Sequence, residues 1–85
     1  MNVLIVKDDP VSGHLLKQIL ENRSHQVSIL TEAEKALEQC RQQAYDLVIV
    51  DWILPGPMDG LSFCRRLRVL PMGHSCVVLV ASPYH

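Results

Sequence analysis

The sequence predicts a layered α/β domain with a parallel sheet, on three observations. Val3-Leu4-Ile5-Val6, Val27 to Leu30, Leu47-Val48-Ile49-Val50 and Cys76 to Ala81 are short and rich in β-branched residues. In most of them the apolar side chains are consecutive rather than alternating, as in strands covered on both faces. The segments between them carry apolar residues at helical spacing. The connections are short, so each strand is expected to feed a helix that returns the chain for a right-handed crossover.

Each element has its own local signals. The first strand stops at Lys7-Asp8-Asp9, and Asp9 followed by Pro10 reads as an N-cap with proline at the first helical position. Val11, Leu15, Leu16, Ile19 and Leu20 then form one apolar stripe, predicting a helix to about Arg23 that buries this face. Val27, Ile29 and Leu30 make the second strand. Thr31-Glu32-Ala33-Glu34 has the Thr-x-x-Glu form of a capping box, and Ala33, Ala36, Leu37, Cys40 and Ala44 continue the second helix. The third strand ends at Asp51. Pro55, Gly56 and Pro57 force a loop, because neither helix nor strand tolerates that density of breakers. A third helix restarts near Asp59, with Leu61, Cys64, Leu67 and Leu70 as its buried stripe and Phe63 beside it. Arg65, Arg66 and Arg68 fall on the wetter side. Pro71-Met72-Gly73 ends this helix, and Cys76 to Ala81 is the fourth and most apolar strand.

Composition narrows the function classes. At 85 residues the chain is expected to form one domain at most. Eight Lys plus Arg against nine Asp plus Glu give a net charge of −1, which supplies no field for nucleic acid or an anionic membrane. Arg65, Arg66 and Arg68 are too few to change that, and read as a solvated helix face. The longest apolar run, Val77 to Ala81, is far too short to span a bilayer, and the N-terminus lacks the pattern of a signal peptide. A cytosolic chain is therefore expected, with Cys40, Cys64 and Cys76 as reduced, buried thiols. His14, His25, His74 and His85 have no metal-ligand spacing.

Sites in parallel α/β sheets form beyond the carboxyl ends of the strands. Asp8 and Asp9 follow the first strand, Asp51 ends the third and Ser82 follows the fourth, so these groups are expected on one edge. Carboxylates brought together repel unless a cation offsets them, which makes a divalent ion such as Mg²⁺ the simplest partner. A carboxylate beside such an ion can act as a nucleophile toward phosphorus, and a neighbouring hydroxyl can bond a phosphoryl oxygen. The plainer alternative is that Asp8, Asp9 and Asp51 are only strand-end and helix-cap residues.

The stretch Val-Leu-Ile-Val-Lys-Asp-Asp-Pro at the start and Asp-Leu-Val-Ile-Val-Asp-Trp-Ile-Leu-Pro-Gly-Pro-Met-Asp-Gly-Leu from Asp46 resemble the receiver domain of two-component response regulators. The resemblance runs along essentially the whole chain. It implies a flavodoxin-like parallel sheet with helices on both faces, here lacking helix 4, strand 5 and helix 5. It also implies a phosphoacceptor role for Asp51, Mg²⁺ held by Asp8, Asp51 and the backbone carbonyl of Ile53, and a switch hydroxyl on Ser82. A one-residue shift would instead put Ala81 at the switch place. Such domains take their phosphoryl group from a histidine kinase or phosphotransfer protein and signal to an output domain or target protein. They are not enzymes beyond slow self-dephosphorylation.

The sequence departs from that family in places that matter. Lys7 stands where the first of two adjacent acidic residues is usual. Its ammonium either competes with Mg²⁺ for Asp51, lowering metal affinity, or snorkels to solvent and leaves the pocket intact. The loop from Pro55 to Gly60 is one residue longer than the common form, and Trp52 either guards the pocket or simply packs there. The chain stops after the fourth strand, so the lysine that follows strand 5 in the family is missing. That ending would also leave Val77-Val78-Leu79-Val80 as an apolar sheet edge, which predicts a homo-oligomer through that edge or by exchange of elements. Two other function classes stand beside the phosphoacceptor. One is a pseudo-receiver that binds partners without phosphorylation, suggested by Lys7 and the missing fifth unit. The other is an aspartate-nucleophile phosphohydrolase, which needs a second Asp two positions after the first, and that place holds Ile53.

Overall fold

The computed structural model describes residues 1–52, 54, 56–70 and 76–81. They form β1 (Asn2–Val6), α1 (Pro10–Glu21), β2 (Gln26–Leu30), α2 (Ala33–Gln42), β3 (Leu47–Asp51), α3 (Gly60–Arg68) and β4 (Val77–Ala81). The four strands make one parallel sheet in the order β2-β1-β3-β4. The flavodoxin-like architecture expected from the sequence is therefore present.

Register is set at the amino ends of the strands. The Asn2 amide donates to the Asp46 carboxylate at 2.8 Å, and the Asp46 amide donates back to the Asn2 carbonyl at 2.8 Å. Val77 N–H donates to the Asp46 carbonyl at 3.0 Å, so one residue ties β1, β3 and β4 together. From there Val3 pairs with Leu47, Val6 with Val50, and Asp51 with Ala81.

The pleat sends Leu4, Val6, Val48 and Val50 to one face, where all four are fully buried. They pack with Ala33, Ala36, Leu37 and Cys40 of α2 and Phe63 and Leu67 of α3, while Leu30 and Val78 lie partly buried at the margin. Phe63 is the largest fully buried side chain. The opposite face carries Val3, Ile5 and Ile29, over which α1 lies; Gly13 faces Ile29 closely enough that a Cβ there would sit 3.6 Å from its methyl.

Local expectations are corrected on each of the three helices. The stripe on α1 does not bury: Val11 is 76% exposed, Leu15 61% and Ile19 49%, whereas Gly13 is buried and Leu16 and Leu20 are half-buried. The helix leans on β2 and β1 through the Gly13 side, and nothing described covers its other flank or the outer part of β4 on that side of the sheet. α1 also ends at Glu21, with Asn22 as C-cap, rather than near Arg23. The Thr31 capping box does not form. Glu32 is the N-cap of α2, without a side-chain cap bond, and the helix ends at Gln42, leaving Ala44 outside it and exposed. In its place, Glu34 in the first turn and Arg41 in the last complement the helix dipole. On α3, burial centres on Gly60, Phe63 and Leu67; Leu61 is exposed, and Cys64 and Leu70 are only partly buried.

The cysteines are thiols, with Cys40 and Cys76 buried and Cys64 intermediate. Burial, and secondarily the neighbouring Cys76, pushes the Cys40 thiol from 9.0 up to about 11. An unfolded chain thus loses this proton near pH 9 and the folded chain near 11, so the contribution to stability is complete below pH 9 and is lost between 9 and 11. Unfolding free energies from urea titration in reducing buffer should fall across that window, by up to about 1.4 kcal/mol per pH unit from this group. In Cys40→Ala the fall should be visibly shallower, and equal slopes in the two proteins would contradict the assignment.

Candidate functional site

The site is built from the carboxyl ends of β1 and β3. Lys7 and Asp51 each lie one residue beyond the Val6–Val50 pair, so parallel register makes them neighbours on the same face. The Lys7 amide continues the ladder by donating to the Leu30 carbonyl at 3.1 Å, which holds its Cα in line with β1. Its Nζ lies 2.9 Å from Asp51 Oδ1, and the two side chains are only 15% and 21% exposed. Opposite charges about 4 Å apart attract by about 4 kcal/mol at an effective dielectric near 20, and this pair is closer. Removing both groups from water offsets much of that gain, so the pair contributes less to stability than to orientation. Asp51 Oδ2 takes no hydrogen bond from any described residue.

Among the described residues, Asp51 is not part of a cluster of three or more acidic, His or Cys side chains. Asp8 is exposed. Asp9 is committed to the start of α1, where its Oδ1 accepts from Val11 N–H at 3.0 Å and its Oδ2 from Ser12 Oγ at 2.8 Å. Those bonds, the Ser12 hydroxyl first, hold the Asp9 carboxyl below its ordinary range. Asp59 plays the same part for α3, its carboxylate accepting from Ser62 N–H at 2.8 Å, which lowers its pKa likewise. Ile53 and Ser82, the expected carbonyl ligand and switch hydroxyl, lie outside the described residues. The described residue registered against Asp51 on β4 is Ala81. Trp52, beside Asp51, is half exposed.

A Mg²⁺ ion at this edge needs hard oxygen ligands beside Asp51. Among the described residues no group of three or more His, Cys, Asp or Glu side chains comes together. The carboxylate best placed to hold a cation already holds the Lys7 ammonium. The described side chains thus offer a divalent ion only Asp51, already paired with Lys7, and the exposed Asp8, and the Ile53 carbonyl expected to complete the set lies outside the described residues. A shallow cleft of about 280 Å³ between the start of α2 and Gly56–Met58 is lined by Glu32 and Glu34, and neither Lys7 nor Asp51 reaches it.

Gly60 is the residue whose part in the site the sequence reading missed. Its N–H donates to the Trp52 carbonyl at 3.0 Å, closing the loop that leaves β3. A Cβ at this place would fall on the Asp51 carbonyl oxygen and within 3.0 Å of Trp52 Cα. The helix can start against the end of β3 only because residue 60 has no side chain. The Asp59-Gly60 pair was the available signal: a cap followed at once by a residue with poor helix propensity. Arg68, assigned to the wet face, also has a structural contact. Its Nη1 donates to the Cys76 carbonyl at 2.7 Å, joining the end of α3 to the start of β4.

A doubly wound parallel sheet with a strand-end aspartate held by a lysine defines the class of domain: an α/β module with its chemistry at the carboxyl edge. The profile of the response regulator receiver domain matches residues 3–84, and the chain belongs to that family. Receiver domains are signalling domains of two-component systems. The response regulator RppA of Synechocystis is 35% identical over 82 residues, spanning 94% of this chain and 34% of the relative. The receiver domain of Methylobacillus flagellatus superposes with a TM-score of 0.90 at 28% identity, over 99% of this chain and 70% of that one. The receiver domain of the Pseudomonas aeruginosa sensor histidine kinase PA1611, solved with a magnesium ion coordinated in its active-site cleft, has a TM-score of 0.86 at 25% identity over 93% of this chain and 64% of that one. The chain thus spans about a third of RppA and about two thirds of these solved domains. Among the described residues, no helix is long and apolar enough to cross a membrane.

Proposed function

We propose that the chain is a single receiver unit that accepts a phosphoryl group on Asp51 from the phosphohistidine of a histidine kinase or phosphotransfer protein, on the cytoplasmic side, and signals to an output domain or target protein. The observation that carries this reading is the Asp51 carboxylate at the end of β3, with one oxygen oriented by a cation and the other without a donor among the described residues. A desolvated, oriented carboxylate is a competent nucleophile toward phosphorus once the charge of the incoming group is screened. Family membership and the likeness to RppA support it. The module turns over no substrate of its own. The hydroxyl proposed for the switch is that of Ser82, one residue past Ala81.

The test is the intact mass of the protein after incubation with phosphoramidate and magnesium chloride, run beside Asp51→Asn. A phosphoryl adduct on the unaltered chain alone is the expected result. An adduct of equal size on both proteins, or none on a folded sample, removes the reading. The second outcome would favour a pseudo-receiver that acts as an interaction module without phosphorylation. Two observations favour that alternative: Asp51 is already ion-paired, and β4, an edge of the described sheet, exposes Val77 and Val80 where a second copy could pair.

A further inference from the structure

We infer that Lys7 is the resident cation of the Asp51 site, so that phosphoryl acceptance here runs without a divalent metal ion; this rests on the phosphoacceptor reading of Asp51. Three observations carry it. Lys7 reaches Asp51 because backbone register places it there, and its side chain is largely withdrawn from water, so the contact is built into the sheet rather than a chance surface pairing. Asp51 is left with an exposed Asp8 as its only uncommitted acidic neighbour along the first strand-helix loop, since Asp9 caps α1 with both oxygens. A divalent ion would have to displace the ammonium from Oδ1 or sit on Oδ2 against its repulsion, and would find no cluster of three acidic, His or Cys side chains among the described residues.

An ammonium can do what the step needs. Two negative groups must approach, and a fixed cation lowers that repulsion whether it is a metal or a lysine. Lys carries three N–H donors; one is used on Asp51 Oδ1, and the remaining two, which meet no acceptor among the described residues, can bond the oxygens of an arriving phosphoryl group. In the step itself, Oδ2 attacks phosphorus and an O–P bond forms. The P–N bond of the donor breaks, and its electron pair leaves on nitrogen. With zwitterionic phosphoramidate the nitrogen already bears three protons, so ammonia departs and no further proton moves. The product is an acyl phosphate whose added charge faces Lys7.

The experiment uses the full chain, its Lys7→Gln, Lys7→Arg and Lys7→Asp variants, and phosphoramidate in either EDTA or excess magnesium chloride. Circular dichroism establishes that each is folded. The unaltered chain should label on Asp51 at rates within about twofold in the two buffers, and Lys7→Gln should lose about a hundredfold in EDTA, the usual effect of removing one preorganised donor. Lys7→Arg, which keeps the cation, should retain most of the metal-free rate. Labelling of the unaltered chain only with magnesium would overturn this inference and leave Asp51 as acceptor; no labelling in either buffer would remove both. Unimpaired labelling of Lys7→Gln in EDTA would also overturn it. A second readout is independent of labelling, because Trp52 is the single tryptophan and sits next to Asp51. Magnesium alone should leave its fluorescence without a saturable change, and Lys7→Asp should acquire one. A saturable response from the unaltered chain, or none from Lys7→Asp, would take the exclusion of metal away from Lys7.

Discussion

Phe63→Ala should lower the unfolding free energy by about 3–5 kcal/mol, the range for deleting a fully buried aromatic ring. Phe63 is completely withdrawn from solvent and is the largest such side chain in the core that α2, α3 and one sheet face share. Few neighbours can move into the space it would leave. Leu4, Val6, Val48 and Val50 are held by strand hydrogen bonds, and Ala33 and Ala36 of α2 are too short to reach across. Against a typical domain stability of about 5–15 kcal/mol, such a loss leaves a large unfolded fraction near body temperature. Urea unfolding followed by circular dichroism checks it. A loss below about 1 kcal/mol would mean that α3 collapses onto the sheet without cost, contrary to the packing described.

Gly60→Ala should damage the site more than its single added methyl suggests. The new Cβ would meet the carbonyl oxygen of Asp51 and the Cα of Trp52, both backbone atoms that no rotamer change can move aside. Relief requires α3 to withdraw from the end of β3 or the Asp51 peptide to turn. Either movement weakens the Gly60-to-Trp52 hydrogen bond and tilts the carboxylate relative to Lys7. The expected cost is about 1–3 kcal/mol, as for other overpacked positions, together with a clear loss of phosphoryl labelling in protein that is still folded. Gly56→Ala is the informative comparison. Gly56 has a φ of +89° with open space around its Cβ position, so the substitution strains the loop without touching Asp51. Labelling should survive there. Equal labelling of the unaltered chain and Gly60→Ala would show that the end of β3 does not depend on this close approach.

Much of the fold was legible in the sequence because its signals are local. Consecutive apolar residues mark strands covered on both sides, and Asp9-Pro10 and Asp59-Gly60 mark helix starts whose cap bonds are present in the structure. The Thr31 capping box failed for an equally local reason: the ladder runs through Leu30, and α2 starts only after Glu32, which puts Thr31 one place too early to cap it. The α1 stripe failed for a different one. Val11, Leu15 and Ile19 have helical spacing, but spacing does not say whether another element will arrive to cover them.

The functional edge divides in the same way. From sequence alone, Asp51 falls at a strand end and Lys7 occupies a place where an acid is usual, because strand boundaries and motif spacing are written along one stretch of chain. Whether Lys7 would turn to solvent or to Asp51 could not be read there, since 44 residues separate them. Tertiary structure decided it through the register of β1 against β3, which aligns the two strand ends on one face and brings ammonium and carboxylate to 2.9 Å. The close approach of Gly60 to Asp51 arose likewise, from packing a helix start against a strand end, a contact between backbones that leaves little mark on side-chain pattern.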